Sequence, residues 1–427
     1  MYNYHTGLIF KIDAILLFFI LIFTALTIVY AIIKEYNWQR RAGKLLKIKN
    51  NIYELVLSGQ KLNAGVCLPL ASEINLQQFL DASTNRIRDA AFFNETEQKV
   101  IKQCFLSGKV TARIENIAKN SWNKWRRTEA ILALGYAQAE SSTGILKKTI
   151  NDRDEDIVYF SILALGQIRT VQSSKILLNC LRKNTRYQFK ILSVLETFPL
   201  EIAENIASFL DDKNPQIRIF ALRLISKLKP AGYLKRIEEL TEDDSEEVCA
   251  AACNCLGELG AKEAKDVLAK CLKHNFWLVR AEAVMALSKI SGKDCLSQII
   301  ERIHDPSLSV IESVESVLAG HIEPAMPYIE KFLYGDDVIA KRTCVKALEI
   351  SGYLLKLLND ILSENDKGRN HSLKVLEGMI LSRAHFGLET ALLNFTVENR
   401  AKILDAIRKI DKAMATHIEQ SMAGRAD

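Results

Sequence analysis

Cys249, Cys253 and Cys255 lie close together, and Cys271 follows. On a helix Cys249 and Cys253 are one turn apart, a spacing that lets two thiolates face one metal ion. A structural zinc site needs a second Cys or His pair nearby, and Cys271 alone does not supply one. Cys253 and Cys255 also occupy places where neighbouring segments carry small apolar residues, so packing as small hydrophobes is the favoured reading. The histidines, His5, His274, His304, His321, His371, His385 and His417, contain no pair at i+3 or i+4. No helix therefore presents a two-histidine metal face. The acidic runs Asp152, Asp154, Asp156 and Asp243, Asp244, Glu246, Glu247 lack the glycine pivot and ligand spacing of a calcium loop. They read instead as caps and first-turn charges for the helices that follow. The chain holds no H-E-x-x-H, G-x-G-x-x-G, phosphate-binding loop or G-x-S-x-G. No catalytic, cofactor-binding or metal residue is expected, and the chain is not expected to be an enzyme.

The elements that position these residues repeat. Aligned on the Leu that closes an apolar helix, units start at Arg126, Ile157, Tyr187, Ile217, Val248, Val279, Val310, Ala340 and Gly368. Successive starts are 28 to 31 residues apart. Each unit opens with an apolar helix, as in "AEAVMALSKIS", which a Gly or short polar turn is expected to stop at Gly135, Gly166, Gly260, Gly292 and Gly352. A second helix follows, then an acidic or Pro-bearing turn such as "DDKNPQI" or "HDPSLSV". Neither helix can bury its apolar face alone, so the units must stack.

The segments "IRIFALRLISKLK" (217–229), "VCAAACNCLGELG" (248–260) and "VRAEAVMALSKISG" (279–292) resemble the HEAT-repeat superfamily, in particular the short PBS-lyase-type HEAT-like repeats. In that family the Arg after Val or Ile commonly meets an acidic residue in a ladder between repeats. The resemblance implies this role for Arg218 and Arg280. Arg127 and Lys341 keep the basic residue without the preceding Val or Ile, and Val158 and Cys249 replace it. The expected fold is all-α: a right-handed α-solenoid of about nine stacked helix pairs, preceded by one transmembrane helix. The resemblance covers residues 126–367. Residues 368–427 read as a last repeat and cap helices, and 62–125 as a capping region or degenerate repeat. Trp122 and Trp125 are expected to seal the N-terminal end of the stack.

Residues 14–33 form an uncharged apolar run that as a helix would span about 30 Å, the hydrocarbon thickness of a bilayer. Phe10, Tyr30, Tyr36 and Trp38 flank it as an interfacial belt. A cleaved signal peptide would need a shorter core and a small-residue cleavage site, and "IIKEYNWQRR" offers none. The reading is a non-cytoplasmic stretch over 1–11, a membrane helix over 12–34 and a basic juxtamembrane helix over 35–61. Lys34, Arg40, Arg41, Lys44 and Lys47 outweigh Lys11, which places the repeats in the cytoplasm. Arg40, Arg41, Lys44 and Lys47 either contact anionic headgroups or serve only as topology signal and linker. The arrangement suits the inner membrane of a bacterium.

Of the net charge of +6, residues 1–61 supply +5. The repeats are nearly neutral, which disfavours a nucleic-acid groove. Nine cysteines, mostly inside helical patterns, suit reduced thiols rather than a disulfide framework. The expected function is a scaffold that holds a protein partner, for instance a membrane-associated enzyme, at the cytoplasmic membrane face. A lyase-like enzyme, or less favoured a nucleic-acid-binding solenoid, is the alternative.

Overall fold

In a computed structural model, the described residues are 108–183, 185–382 and 387–423, with residues 23, 24, 26–36, 39, 43, 50, 102 and 106. The chain divides into two compact units, Met1–Pro199 and Leu200–Asp427. Regular structure among the described residues is entirely helical.

In the first unit α1 (Gly108–Asn120) packs on α2 (Lys124–Tyr136), which lies beside α4 (Glu155–Ile168). The shorter α3 (Thr143–Thr149) and the longer α5 (Val171–Lys183) alternate with these, and α6 (Gln188–Leu195) packs on α4 and α5. Asn123 caps α2 by accepting from the backbone N–H groups of Trp125 and Arg126, and Asp154 caps α4 through Asp156 N–H. Ile131, Leu134, Ile157, Ile162 and Leu165 are fully buried between the helices. Burial of each contributes about 1.5–3 kcal/mol.

The second unit runs through α7 (Ala203–Ala207), α8 (Pro215–Leu228), α9 (Leu234–Glu239), α10 (Glu246–Leu259), α11 (Lys265–Cys271), α12 (Trp277–Ser291), α13 (Leu296–Ile300) and α14 (Leu308–Gly320). It continues through α15 (Ile322–Leu333), α16 (Val338–Ile350), α17 (Tyr353–Leu362), α18 (Asp366–Leu381), α19 (Leu388–Leu392), α20 (Val397–Ile410) and α21 (Lys412–Ala423). Helices α8, α10, α12, α14 and α16 form a row, each against the next, and the intervening helices form a second layer. Helices α8, α10, α12, α14, α16 and α18 each begin two residues before the unit starts at Ile217, Val248, Val279, Val310, Ala340 and Gly368. Beyond α16 the pattern changes. Helix α18 packs on α15 and α17, and α20 lies against α17 and α18.

The recurrent Leu-Gly has a different role from the one expected of it. Gly135 and Gly166 lie inside α2 and α4 rather than ending them. They sit where neighbouring first helices come closest. A Cβ at Gly135 would lie 2.6 Å from Ala164 Cα, one at Gly257 would lie 2.8 Å from Ala286 Cα, and one at Gly166 would overlap Val194. The helix stops are left-handed residues: Gly260 (φ 67°) after α10 and Gly352 (φ 71°) before α17. Arg169 (φ 54°) and Lys229 (φ 52°) take the same conformation without glycine. Gly292 (φ 50°) ends α12.

Trp122 and Trp125 do not seal the stack, since they are 95% and 64% exposed. Helix α1 covers α2 instead, burying Ile114 and Ala118, while Lys124 Nζ lies 5.1 Å from the Trp125 ring.

Of the expected membrane span, 12–22 and 25 lie outside the described residues. Residues 26–36 are helical and exposed. Among the described residues no helix is long and apolar enough to cross a membrane. The expected surface contacts Arg40, Arg41, Lys44 and Lys47 also lie outside the described residues, as does almost all of 62–107.

The close approach at Gly257 gives a direct test. Gly257→Ala is expected to lower stability by about 1–3 kcal/mol, because the added methyl meets backbone. Gly144→Ala, with nothing within 4 Å of the new methyl, is expected to be neutral or stabilising by up to about 1 kcal/mol. Urea midpoints by circular dichroism measure both; equal midpoints would remove the close-packing explanation.

Candidate functional site

The polar groups of the repeats are organised by one recurring pair. In α12, Arg280 donates from Nε and Nη2 to the two carboxylate oxygens of Asp305, at 2.7 and 2.6 Å. Its Nη1 donates to the carbonyls of His274 and Asn275 in the turn before its own helix, both at 2.8 Å. Asp305 also accepts from Ser307 N–H at 3.0 Å, holding the turn that leads into α14. One guanidinium thus ties its own turn to the next. The side chains are 10% and 1% exposed.

The same pair recurs 25 residues apart at Arg218–Asp243 and Arg127–Asp152, each at 2.5 Å. Arg218 Nη1 donates to its own turn at the Asp212 carbonyl, 2.7 Å away. This rung is less complete: Arg218 Nε is buried without an acceptor among the described residues. Arg127 also donates to the carbonyl of Ala118 at 3.3 Å. Its pairing escaped the motif, which demands Val or Ile before the Arg, whereas the fixed 25-residue step to an Asp finds it. In the rung between Arg218 and Arg280 the pattern is substituted. Cys249 stands in the Arg place and its thiol donates to the Asp243 carbonyl at 3.1 Å. His274 stands in the Asp place, and its Nδ1 accepts from Phe276 N–H at 3.0 Å.

Burial opposes the Asp305 carboxylate, but the hydrogen bonds from Arg280 and Ser307 outweigh it and hold the carboxyl below its ordinary value. At Asp152 burial is likewise outweighed, here by the backbone N–H of Asp154 and by Arg127. Hydrogen bonding to Asp305 raises the Arg280 guanidinium in turn.

The cysteine cluster is part of the core. Cys249, Cys253, Cys255 and Cys271 are all buried and free. Burial pushes the Cys249 thiol up to about 11 and those of Cys255 and Cys344 to about 12. Donation to Cys271, then burial, keeps Cys253 protonated. Among the described residues no group of three or more His, Cys, Asp or Glu side chains is placed to hold a metal ion. His304 Nδ1 faces Asp337 at 3.1 Å, and His321 Nε2 meets Ser288 Oγ at 3.2 Å.

What the first helices leave open is surface. A groove of about 350 Å³ runs between α8, α10 and the start of α12. Ile219, Leu222, Ala250, Ala251 and Leu278 form its apolar wall, with Glu247 and Glu282 also lining it. Beside Leu278, Trp277 opens a row of exposed apolar side chains at the first position of successive helices: Trp277 41%, Leu308 68% and Val338 64% exposed.

Two predictions follow from these contacts. Arg280→Ala leaves Asp305 buried and unpaired, and a loss of about 3–5 kcal/mol is expected in thermal or urea unfolding. Because the folded-state carboxyl is depressed, its stabilisation is present above the unfolded value near pH 4 and is lost as pH falls through the folded value. The wild type should therefore lose more Tm between pH 5 and pH 3 than Asp305→Asn; equal slopes would contradict the pairing. For the thiols, Cys249, Cys255 and Cys344 are expected to resist Ellman's reagent at pH 8 in the native protein and to react once unfolded. Peptide mapping identifies the modified positions, and rapid native labelling of any of the three would contradict their packing.

The HEAT repeats family model matches residues 111–196, 202–288 and 233–319. No curated protein matches the chain. Among solved structures, the complex of CpcE and CpcF of phycocyanin lyase from Nostoc sp. PCC7120 is 17% identical, with 52% of this chain and 94% of that chain covered and a TM-score of 0.31. Yeast importin-beta (Kap95p) is 11% identical, with 89% and 63% covered and a TM-score of 0.40. Kap121p is 13% identical, with 89% and 49% covered and a TM-score of 0.41. This chain thus spans less than two thirds of either of the latter two. Together with the paired helices and the 25-residue Arg–Asp step, the family match shows that residues 111–196 and 202–319 carry HEAT repeats.

Proposed function

We propose that the chain is a membrane-anchored HEAT-repeat scaffold that holds a protein partner at the cytoplasmic face of a bacterial inner membrane. The observation that carries the binding role is the exposed row Trp277, Leu308 and Val338. Exposed apolar side chains in register on neighbouring helices are costly to leave in water and mark interaction surfaces. The adjoining groove would extend that surface past Leu278. HEAT arrays offer long surfaces of this kind because each repeat adds one more helix to the face.

The anchoring role is supported by residues 26–36, where Leu26, Ile28, Val29, Ile32 and Ile33 are each at least half exposed. They belong to the uncharged apolar run 14–33, whose length as a helix matches the hydrocarbon thickness of a bilayer. In this reading residues 12–34 span the bilayer, the N-terminus faces out, and Arg40, Arg41, Lys44 and Lys47 rest on the headgroups. Tethering raises the local concentration of any membrane-bound partner without adding a contact.

The test combines fractionation with purification from membranes. The full chain is expected to stay with carbonate-washed membranes, and a chain starting at residue 35 to be released. A partner that co-purifies with the full chain should be lost from Trp277→Ser/Leu308→Ser/Val338→Ser, which changes exposed positions only. The same partners recovered from both proteins would overturn the binding face; equal release of the full and shortened chains would overturn the anchor.

A further inference from the structure

Where α18 leaves the row of first helices, a cleft of about 540 Å³ opens between α17, α18 and α20. Its apolar side is formed by Leu362, Leu373, Ala406 and Ile410. Arg369, Lys374, Lys402 and Lys409 also line it, against two carboxylates, Glu377 and Asp405. Asp405 is already engaged, accepting from Arg408 at 2.9 Å. Lys402 pairs with Glu398 at 2.8 Å in a largely exposed contact, and such pairs contribute little. Lys374 lies 5.6 Å from the Tyr334 ring. Among the described residues neither Arg369 nor Lys409 has a carboxylate within ion-pair distance. The cleft therefore joins apolar surface to uncompensated positive charge.

We propose that this cleft binds an acidic peptide segment of a partner protein, one that alternates carboxylates with aliphatic side chains. Carboxylates would meet Arg369 and Lys409, and an aliphatic side chain would enter against Leu373 and Ile410. Charge complementarity selects an anion, and the apolar wall selects one that carries hydrocarbon. Among the described residues no aromatic side chain lines the cleft, and those residues offer no stacking platform of the kind on which single-stranded nucleic acid depends. This inference rests on the reading of the chain as a protein-binding scaffold and assigns a second, chemically distinct contact to it.

The probe is a fluorescent octapeptide of alternating glutamate and leucine, titrated with the full chain in detergent and read by anisotropy. Saturable binding is expected, about tenfold weaker in Arg369→Glu/Lys409→Glu and unchanged in Lys213→Glu/Lys262→Glu, an equal charge change away from the cleft. A glutamate–serine octapeptide is expected to bind about tenfold more weakly than the glutamate–leucine one, since it forgoes the apolar contact. Thermal melts establish that the variants, all at exposed positions, remain folded. Equal affinity of the double variant, equal binding of the serine peptide, or equal displacement by an oligonucleotide of the same charge would each overturn the cleft proposal. None of these outcomes bears on the row at Trp277, which is read separately by co-purification. A partner lost from the Trp277 variant but retained by Arg369→Glu/Lys409→Glu leaves the scaffold standing and removes the cleft.

Discussion

The repeats depend on how closely two backbones can approach. Where Gly135 faces Ala164, and Gly257 faces Ala286, there is no room for one more carbon. Helices this close gain dispersion contacts along their length, and their flanking side chains interlock. The spacing in turn fixes where every other contact falls. Polar bridges recur at about one repeat length: Lys289 to Glu258 at 2.6 Å, Lys346 to Glu315 at 3.2 Å, Asn254 to Glu282 at 2.8 Å. They are consequences of the small-residue seam, since longer side chains there would carry the partners out of reach.

The Arg–Asp pair then fixes register. A seam of small residues is slippery, because it contains nothing that prevents one helix from sliding along another. Arg280 bonds two carbonyls of its own turn and both oxygens of an aspartate that organises the following turn. A shift of one residue between the two helices would break both bonds to Asp305. Buried ion pairs add little net stability over well-packed apolar groups, so their value here lies in defining one alignment. At the substituted rung Cys249 and His274 each satisfy their own turn, and the polar bridges Asn254–Glu282 and Lys289–Glu258 link the same two helices.

Much of this was legible in the chain, and the misses have physical causes. The period of the repeat placed the first helices of the second unit to within two residues, because an acidic or Asn cap and an apolar stripe are strong local signals. Gly135 and Gly166 were read as helix stops because glycine usually marks a left-handed turn. Here Gln138 and Arg169 take that turn, and glycine serves proximity. Proximity depends on a neighbour about thirty residues away, which no local rule sees. The expected seal at Trp122 and Trp125 gives way to Ile114 and Ala118 of α1, which are buried at that end while both tryptophans are exposed. The exposed row and the cleft were invisible in advance. Trp277, Leu308 and Val338 look like ordinary apolar residues until helix starts are aligned in space. The cleft exists only because α18 turns onto α15 and α17.

The left-handed residues have a wider consequence. Arg169 and Lys229 hold a conformation that a side-chain-bearing residue adopts at a cost of about 1–2 kcal/mol. Each donates its backbone N–H to the last turn of its own helix, Arg169 to Leu165 at 3.3 Å and Lys229 to Ile225 at 2.8 Å, and packing of the neighbouring helices holds the rest of the bend. Each hairpin is in this sense borrowed from the next, and order within a unit is a collective property that weakens toward its ends. Such a chain yields to load by fraying rather than by a single rupture.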